Sequence, residues 1–311
     1  MIWLWAAVLS ALLLGLYDVF KKKALRINDV MHLLLCTTAI STLFFLPLIL
    51  SSIFGWGLAD GTVFELPACG LREHLLIIVK AFIVTLSWVF GLFGLKHLPI
   101  TTVGIIKASR PVFVLIGCIF IFGERLNALQ WIGVIVAIVA LFLLGRSSKK
   151  EGIDFTNNKW IFCMAASVLF GVLSALFDKY IMKQMKPMFV QGWCNFYITV
   201  ILAITIAIMQ LIANRRHAEA SVVKGEVLTK FRWDWLIPVI AVFITASDFL
   251  YFYSLTGSDS LLSVISMLRR SSVIVTFICG AIMFKEGHLR EKGFAMGLLL
   301  AGMALLVFGT C

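Results

Sequence analysis

Ten runs of mostly apolar residues follow one another along this chain, at 2–20, 31–53, 74–95, 99–122, 128–145, 159–182, 188–213, 234–255, 260–284 and 291–310. A helix of about 20 such residues crosses the hydrocarbon of a bilayer. In that medium every backbone N–H and C=O must be bonded within the protein, which a single apolar segment achieves only as a helix. The expected fold is therefore an all-α integral membrane protein of ten transmembrane helices. The longest links, around 53–73 and 214–233, are too short for a soluble catalytic domain. With 61% hydrophobic residues, 14% charged residues and a mean hydropathy of +1.02, the composition excludes an ordinary soluble domain. The first run has no basic leader and is too long for a signal core, so it is expected to remain as the first helix.

A net charge of +11 in a soluble protein would suggest a nucleic-acid partner; here the positions of the charges matter more. Of the 27 Lys and Arg, 17 fall in the odd-numbered links and five in the even links and termini. By the positive-inside rule the odd links face the cytoplasm and both chain ends lie outside, as in a bacterial inner membrane protein. The remaining five, Lys80, Lys107, Arg110, Arg269 and Arg270, sit inside apolar runs. Seven cysteines lack any metal-binding or redox spacing. The five histidines fall at span ends or in links, with no Ser or carboxylate cluster beside them. Neither an enzyme nor a bound cofactor or metal is expected.

Sliding the chain against itself by 160 residues aligns "LGLYDVFKKK" (14–23) with "SALFDKYIMK" (174–183), matching Asp18 with Asp178 and Lys23 with Lys183. The same offset aligns "TLSWVFGLFGL" (85–95) with "TASDFLYFYSL" (245–255), and Arg110 with Arg270. An offset of 162 instead aligns Glu124 with Glu286 and pairs Lys107 with Arg269. Either register divides the chain into a first five-helix repeat at 1–146, a basic linker at 147–158 and a second repeat at 159–311. Five is odd, so the second repeat crosses the membrane in the opposite sense. Inverted repeats are a signature of secondary transporters with a midplane site.

The segments "KASRPVFVLIGCIFIFGERLNALQWIGVIVAIVALFLLG" and "SSVIVTFICGAIMFKEGHLREKGFAMGLLLAGMALLVFG" carry a resemblance to a known family. With its ten spans in two repeats, the chain resembles an EamA-type member of the drug/metabolite transporter superfamily. That resemblance implies alternating access. It leaves the substrate open among amino acids, sugars, nucleotide sugars, phosphorylated sugars and lipophilic cations. Lys107 and the Arg269-Arg270 pair are also similar in position to the phosphate-binding cations of triose-phosphate and organophosphate translocators, with Tyr251 or Tyr253 in the place of a tyrosine on their eighth helix. Arg110 is an addition to that pattern.

A charged side chain at the bilayer centre costs roughly 2.5–3.5 kcal/mol on insertion scales, so these cations must face a cavity or a partner. Asp248 is the deep carboxylate that could neutralise one of them. Asp18 and Asp178 lie at span ends beside lysines, where local solvated pairing is the expectation. Lys80 lies near one end of its span and could snorkel. The excess of deep cations points to an anionic small-molecule substrate, held by Lys107, Arg110, Arg269 and Arg270 with Asp248 nearby. Trp88, Tyr251, Tyr253 and Asn195 could stack on and orient its uncharged part. The alternatives are export of amino acids or other neutral or zwitterionic metabolites and, further off, cationic-drug/proton antiport. Gly133 and Ala137 in the fifth span, and Gly293, Gly297 and Gly302 in the tenth, read as faces packing the two halves together within a monomer.

Overall fold

The computed structural model describes residues 2–59, 61–62, 64–67, 69–122, 127–153, 155, 157–181, 184–219, 232–255 and 268–309. Its elements are α1 Ile2–Ala24, α2 Val30–Phe54, α3 Leu71–His97, α4 Ile100–Ala108, α5 Arg110–Phe122, α6 Ala128–Lys149, α7 Lys159–Ile181, α8 Pro187–Glu219, α9 Leu236–Leu255, α10 Ser272–Met283 and α11 Leu289–Phe308. Among the described residues, eight helical spans are long and apolar enough to cross a membrane, with α4 and α5 together forming one of them, Ile100–Ile121. The helix α9 holds a shorter apolar stretch, Leu236–Tyr251. The ninth run is described only from Leu268 onward. Glu124, Lys183 and Cys311 lie outside the described residues.

Local chemistry explains where the helices begin, end and hide their hydroxyls. The Asp29 carboxylate caps α2 by accepting from the N–H groups of Met31 (3.0 Å) and His32 (3.3 Å). Gly55 closes the same helix in the left-handed region, at φ 68°. Asn127 and Gln130 form a reciprocal capping box at the start of α6. Along α2, the buried Thr37, Thr38 and Thr42 return their hydroxyls to carbonyls one turn back, so none of the three is left unpaired.

The helices pack as α1 on α9, α3 on α7, α2 on α8, α4 on α10 and α6 on α11. Two of these contacts share one device. Ser10 of α1 and Ser247 of α9 each donate to the other's carbonyl, at 2.7 and 2.8 Å. Ser87 of α3 and Ser167 of α7 do the same, at 2.8 and 2.7 Å. Each pair brings two backbones together and satisfies both of its own hydroxyls. The helices α6 and α11 meet through Gly133 and Gly302: a Cβ on either would lie 2.8–2.9 Å from the other's carbonyl oxygen. Ala137 completes that contact. Gly293 instead faces Phe277, and Gly297 has nothing within 4 Å, so those two glycines are not part of this seam.

Candidate functional site

The fourth run is not one helix. α4 ends at Ala108, Ser109 forms a turn, and α5 begins at Arg110. Pro111 has no N–H for the carbonyl of Lys107, and the Ser109 hydroxyl donates to the carbonyl of Ile106 at 2.6 Å. The ninth run breaks in the same way. Leu268 to Arg270 are helical, Ser271 forms a turn, and its hydroxyl donates to the carbonyl of Leu268 at 2.6 Å. The N–H three residues beyond each serine returns to that serine's carbonyl, from Val112 at 3.0 Å and from Ile274 at 2.8 Å. The two breaks match in the 162-residue register rather than the 160-residue one. Both place cations at interrupted helices deep in the bundle, an arrangement that lets irregular backbone line a cavity.

Most of these cations already have carboxylates. Lys107 donates to Asp18 of α1 at 3.0 Å, Arg269 is paired with Asp248 of α9, and Lys80 of α3 is paired with Asp178 of α7. Arg269 also lies 4.3 Å over the Tyr251 ring. The expectation of a lone deep anion is thereby corrected. Asp18 and Asp178 are interhelical partners rather than local solvated pairs, because each lies near its helix end yet points across to a neighbour. Lys80 does not snorkel; it is buried and paired.

Two arginines remain. Among the described residues Arg270 makes no hydrogen bond or ion pair, and the like charges of Arg110 and Arg269 act on it. Among the described residues Arg110 donates to the Ser87 hydroxyl alone, at 3.5 Å, and its buried Nε has no partner. Its guanidinium rests on Gly171 of α7, where a Cβ would stand 2.3 Å from Cζ. Sequence reasoning missed this seat, as it missed Lys21. Lys21 was counted as a link residue, but it lies within α1, is 6% exposed, and donates to Tyr17 at 2.7 Å.

A narrow inner pocket of about 20 Å³ is lined by Tyr17, Trp88, Asn195, Thr245 and Asp248. Of the expected aromatic and amide residues, Trp88 and Asn195 therefore meet Asp248, and Tyr251 lies under Arg269. Tyr253 is 45% exposed and lines neither this pocket nor the wider one beside it. The wider cavity, about 470 Å³, opens between α2, α8, α9 and the segment after α2, with Phe45 and Thr245 common to both. That segment is pinned by Glu65, which accepts from Lys186 at 2.9 Å and from the Gly61 N–H at 3.2 Å. The Lys186 hydrogen bond holds the Glu65 carboxyl below its ordinary range.

The opposite end of the bundle is tied shut by charge. Glu286 accepts from the N–H of Ile100 (2.6 Å) and of Thr101 (3.1 Å), capping α4. The fully buried Lys292 donates to Glu151 at 2.7 Å and to the Thr101 hydroxyl at 3.2 Å. Lys22 caps the end of α3 through the carbonyls of Leu95 (2.5 Å) and Leu98 (2.6 Å). No group of three His, Cys, Asp or Glu that could hold a metal ion occurs among the described residues.

Parts of the chain are similar to known proteins. Three curated relatives, the S-adenosylmethionine uptake transporters of Rickettsia bellii (strain RML369-C), Rickettsia prowazekii (strain Madrid E) and Rickettsia conorii (strain ATCC VR-613 / Malish 7), are 29%, 26% and 26% identical over 111 residues. Those residues are 36% of this chain and span 36%, 35% and 35% of the relatives, about a third of their length. A solved crystal structure aligns with 97% of this chain and 94% of its own, at a TM-score of 0.55 and 16% identity, a likeness of fold alone. The EamA-like transporter family matches residues 1–146. The likeness to that family covers the part of the chain that runs from α1 into α6, just under half of it.

Proposed function

We propose that the chain is a secondary transporter of a small metabolite bearing a carboxylate or phosphate, moved by alternating access between two inverted five-helix halves. One observation carries this reading. Lys107, Arg269 and Lys80 each have a carboxylate, while Arg110 and Arg270 at the two helix breaks have none among the described residues. A half-buried guanidinium with no carboxylate in hydrogen-bond reach is costly, and its planar donors suit the oxygens of a carboxylate or phosphate. An anion entering there would be bound by the two arginines, with Lys107 and Arg269 adding field from their existing pairs. Exchange of one anion for another follows naturally, because closing an empty site would occlude uncompensated charge.

The matched helix breaks and the reciprocal serine pairs support the two-repeat organisation. In the proposed orientation the wide cavity opens outward and the Glu286–Lys292 network seals the cytoplasmic side of a bacterial inner membrane. No catalytic role is assigned to any group in the bundle, and one chain contains every residue that the site needs.

A second reading, transport of S-adenosylmethionine itself, is favoured by the three relatives. That molecule carries a carboxylate for the arginines, cationic groups for Asp248 and an aromatic base for the phenylalanine-lined wider cavity. The test is counterflow in proteoliposomes with a panel of carboxylated, phosphorylated, neutral and cationic solutes. Uptake confined to solutes with an anionic group, and lost in Arg270→Gln, is expected. Uptake of neutral or purely cationic solutes at the same rate would overturn the reading.

A further inference from the structure

The inner pocket cannot hold a metabolite in this conformation. At about 20 Å³, against the roughly 10–15 Å³ that a single water needs by the same measure, it has room for about one water and no more. The adjoining cavity, at about 470 Å³, falls within the roughly 300–1,000 Å³ usual for ligand sites. Arg110 and Arg270 line neither space; the wider cavity connects toward the cations through Gln191, Asp248 and its partner Arg269, so the bulk of a solute bound along that line has room only in the wider cavity.

The walls of that cavity say what the bulk is. Phe44, Phe45, Phe64 and Phe249 supply four aromatic faces, with Leu48 and Met188 between them. Phe64, from the segment after α2, stacks on Phe249 of α9 at 4.9 Å with the rings 2° from parallel. Such a pair presents flat apolar surface at the mouth, the shape that accepts another ring. Thr62, Thr245 and Gln191 are its polar members, and Gln191 also donates to Asp248 at 3.0 Å, so it joins the aromatic wall to the charged interior. Its Oε1 is buried and has no donor. That acceptor suits an N–H on the ring or beside it.

We infer that this vestibule is a second subsite, which takes a nitrogen-bearing aromatic ring carried by the same solute whose anionic group the arginines hold. The inference rests on the proposed anion reading and narrows it. The carrier selects amphipathic aromatic anions over small ones such as acetate, phosphate or dicarboxylates. The vestibule supplies affinity for the ring and the arginines supply it for the anion, so the two contributions separate by mutation.

The test uses purified full-length protein and two matched pairs of probes, S-adenosylmethionine with methionine and indole-3-acetate with acetate, measured by equilibrium binding. In the parent protein the aromatic member of at least one pair should bind about tenfold tighter than its truncated partner, the size expected of ring stacking. Phe249→Ala and Phe64→Leu should each shrink that ratio about three- to tenfold, with the truncated probe unaffected. Arg270→Gln should weaken both members of the pair by the same factor. If Phe249→Ala does not fold, Phe64→Leu, on the segment outside the helices, decides the matter alone. Absence of any aromatic preference, including failure of both aromatic probes to bind, overturns the subsite. So does a preference that survives in the phenylalanine variants that fold. If the phenylalanine variants behave as stated while Arg270→Gln changes nothing, the subsite stands and the anion reading falls.

Discussion

Gly171→Ala separates the function of Arg110 from its charge. The substitution removes no charged group, yet its new Cβ would stand 2.3 Å from Arg110 Cζ and 2.4 Å from Nε and Nη2. Ordinary contact begins at 3.4 Å, so the guanidinium must retreat by about 1 Å. The atoms displaced are the far end of a flexible side chain, so the fold loses little, and alanine in place of a helical glycine returns roughly 1 kcal/mol of helix propensity. Binding behaves oppositely. A charge-assisted hydrogen bond contributes roughly 1.5–3 kcal/mol, so pulling Arg110 out of register should weaken substrate binding roughly 10- to 100-fold. Thermal unfolding of detergent-purified protein, paired with equilibrium binding of the solute that passes the counterflow screen, reads both quantities. An unchanged or raised melting temperature with weakened binding is predicted. Unchanged affinity in a variant that folds normally would refute a substrate role for Arg110 in that seat.

Gly302→Ala should destabilise the protein by roughly 1–3 kcal/mol, because its Cβ would lie 2.9 Å from the Gly133 carbonyl oxygen, whereas Gly297→Ala on the same helix meets nothing and should be neutral or stabilising; equal melting temperatures would contradict the packing described. Glu151→Gln leaves the ammonium of the fully buried Lys292 without its carboxylate and should cost roughly 3–5 kcal/mol, whereas a melting temperature like the parent's would mean that the sealed end is not held by that pair. Lys186→Gln should return the Glu65 carboxyl toward its ordinary value of 4.5, observable by NMR of labelled glutamate. Because the folded value is depressed, the stabilisation from Lys186 is present above 4.5 and fades as pH falls through the lower folded value; parent and variant should converge in stability there. A Glu65 titration unaffected by the substitution would remove that pin from the vestibule wall.

Eight of the ten expected spans were legible because bilayer thickness sets their length and apolar side chains mark them one by one, as α2, α3 and α6 illustrate. The breaks were harder to see. Pro111 signals one of them, but Ser271 reads like any helical serine until its hydroxyl is seen on the carbonyl of Leu268. Charge position in sequence also misled at the helix ends. Asp18 and Asp178 stand beside lysines along the chain, yet their side chains cross to Lys107 and Lys80 on other helices, which no local spacing encodes. Lys21 and Lys292 look like ordinary flanking cations and are instead enclosed by the fold. The offset of 162, which pairs Lys107 with Arg269, was the available clue that these two cations share a role distinct from that of Arg110 and Arg270. Gly171 carried no signal at all, since a glycine that seats a distant guanidinium is indistinguishable in sequence from one that packs helices.

The central claim is that Arg110 and Arg270 bind the anionic group of the transported solute. Its most direct test is the affinity of the purified protein for the exchanged solute and for the analogue lacking only the carboxylate or phosphate, each with the parent protein and with Arg270→Gln. Removing the anionic group or the guanidinium should each weaken binding at least tenfold, and removing both should cost little more than removing one, because they are two sides of one interaction. Equal affinity for solute and analogue in the parent protein, or losses that simply add, would mean that the arginines serve the fold and the substrate is recognised elsewhere.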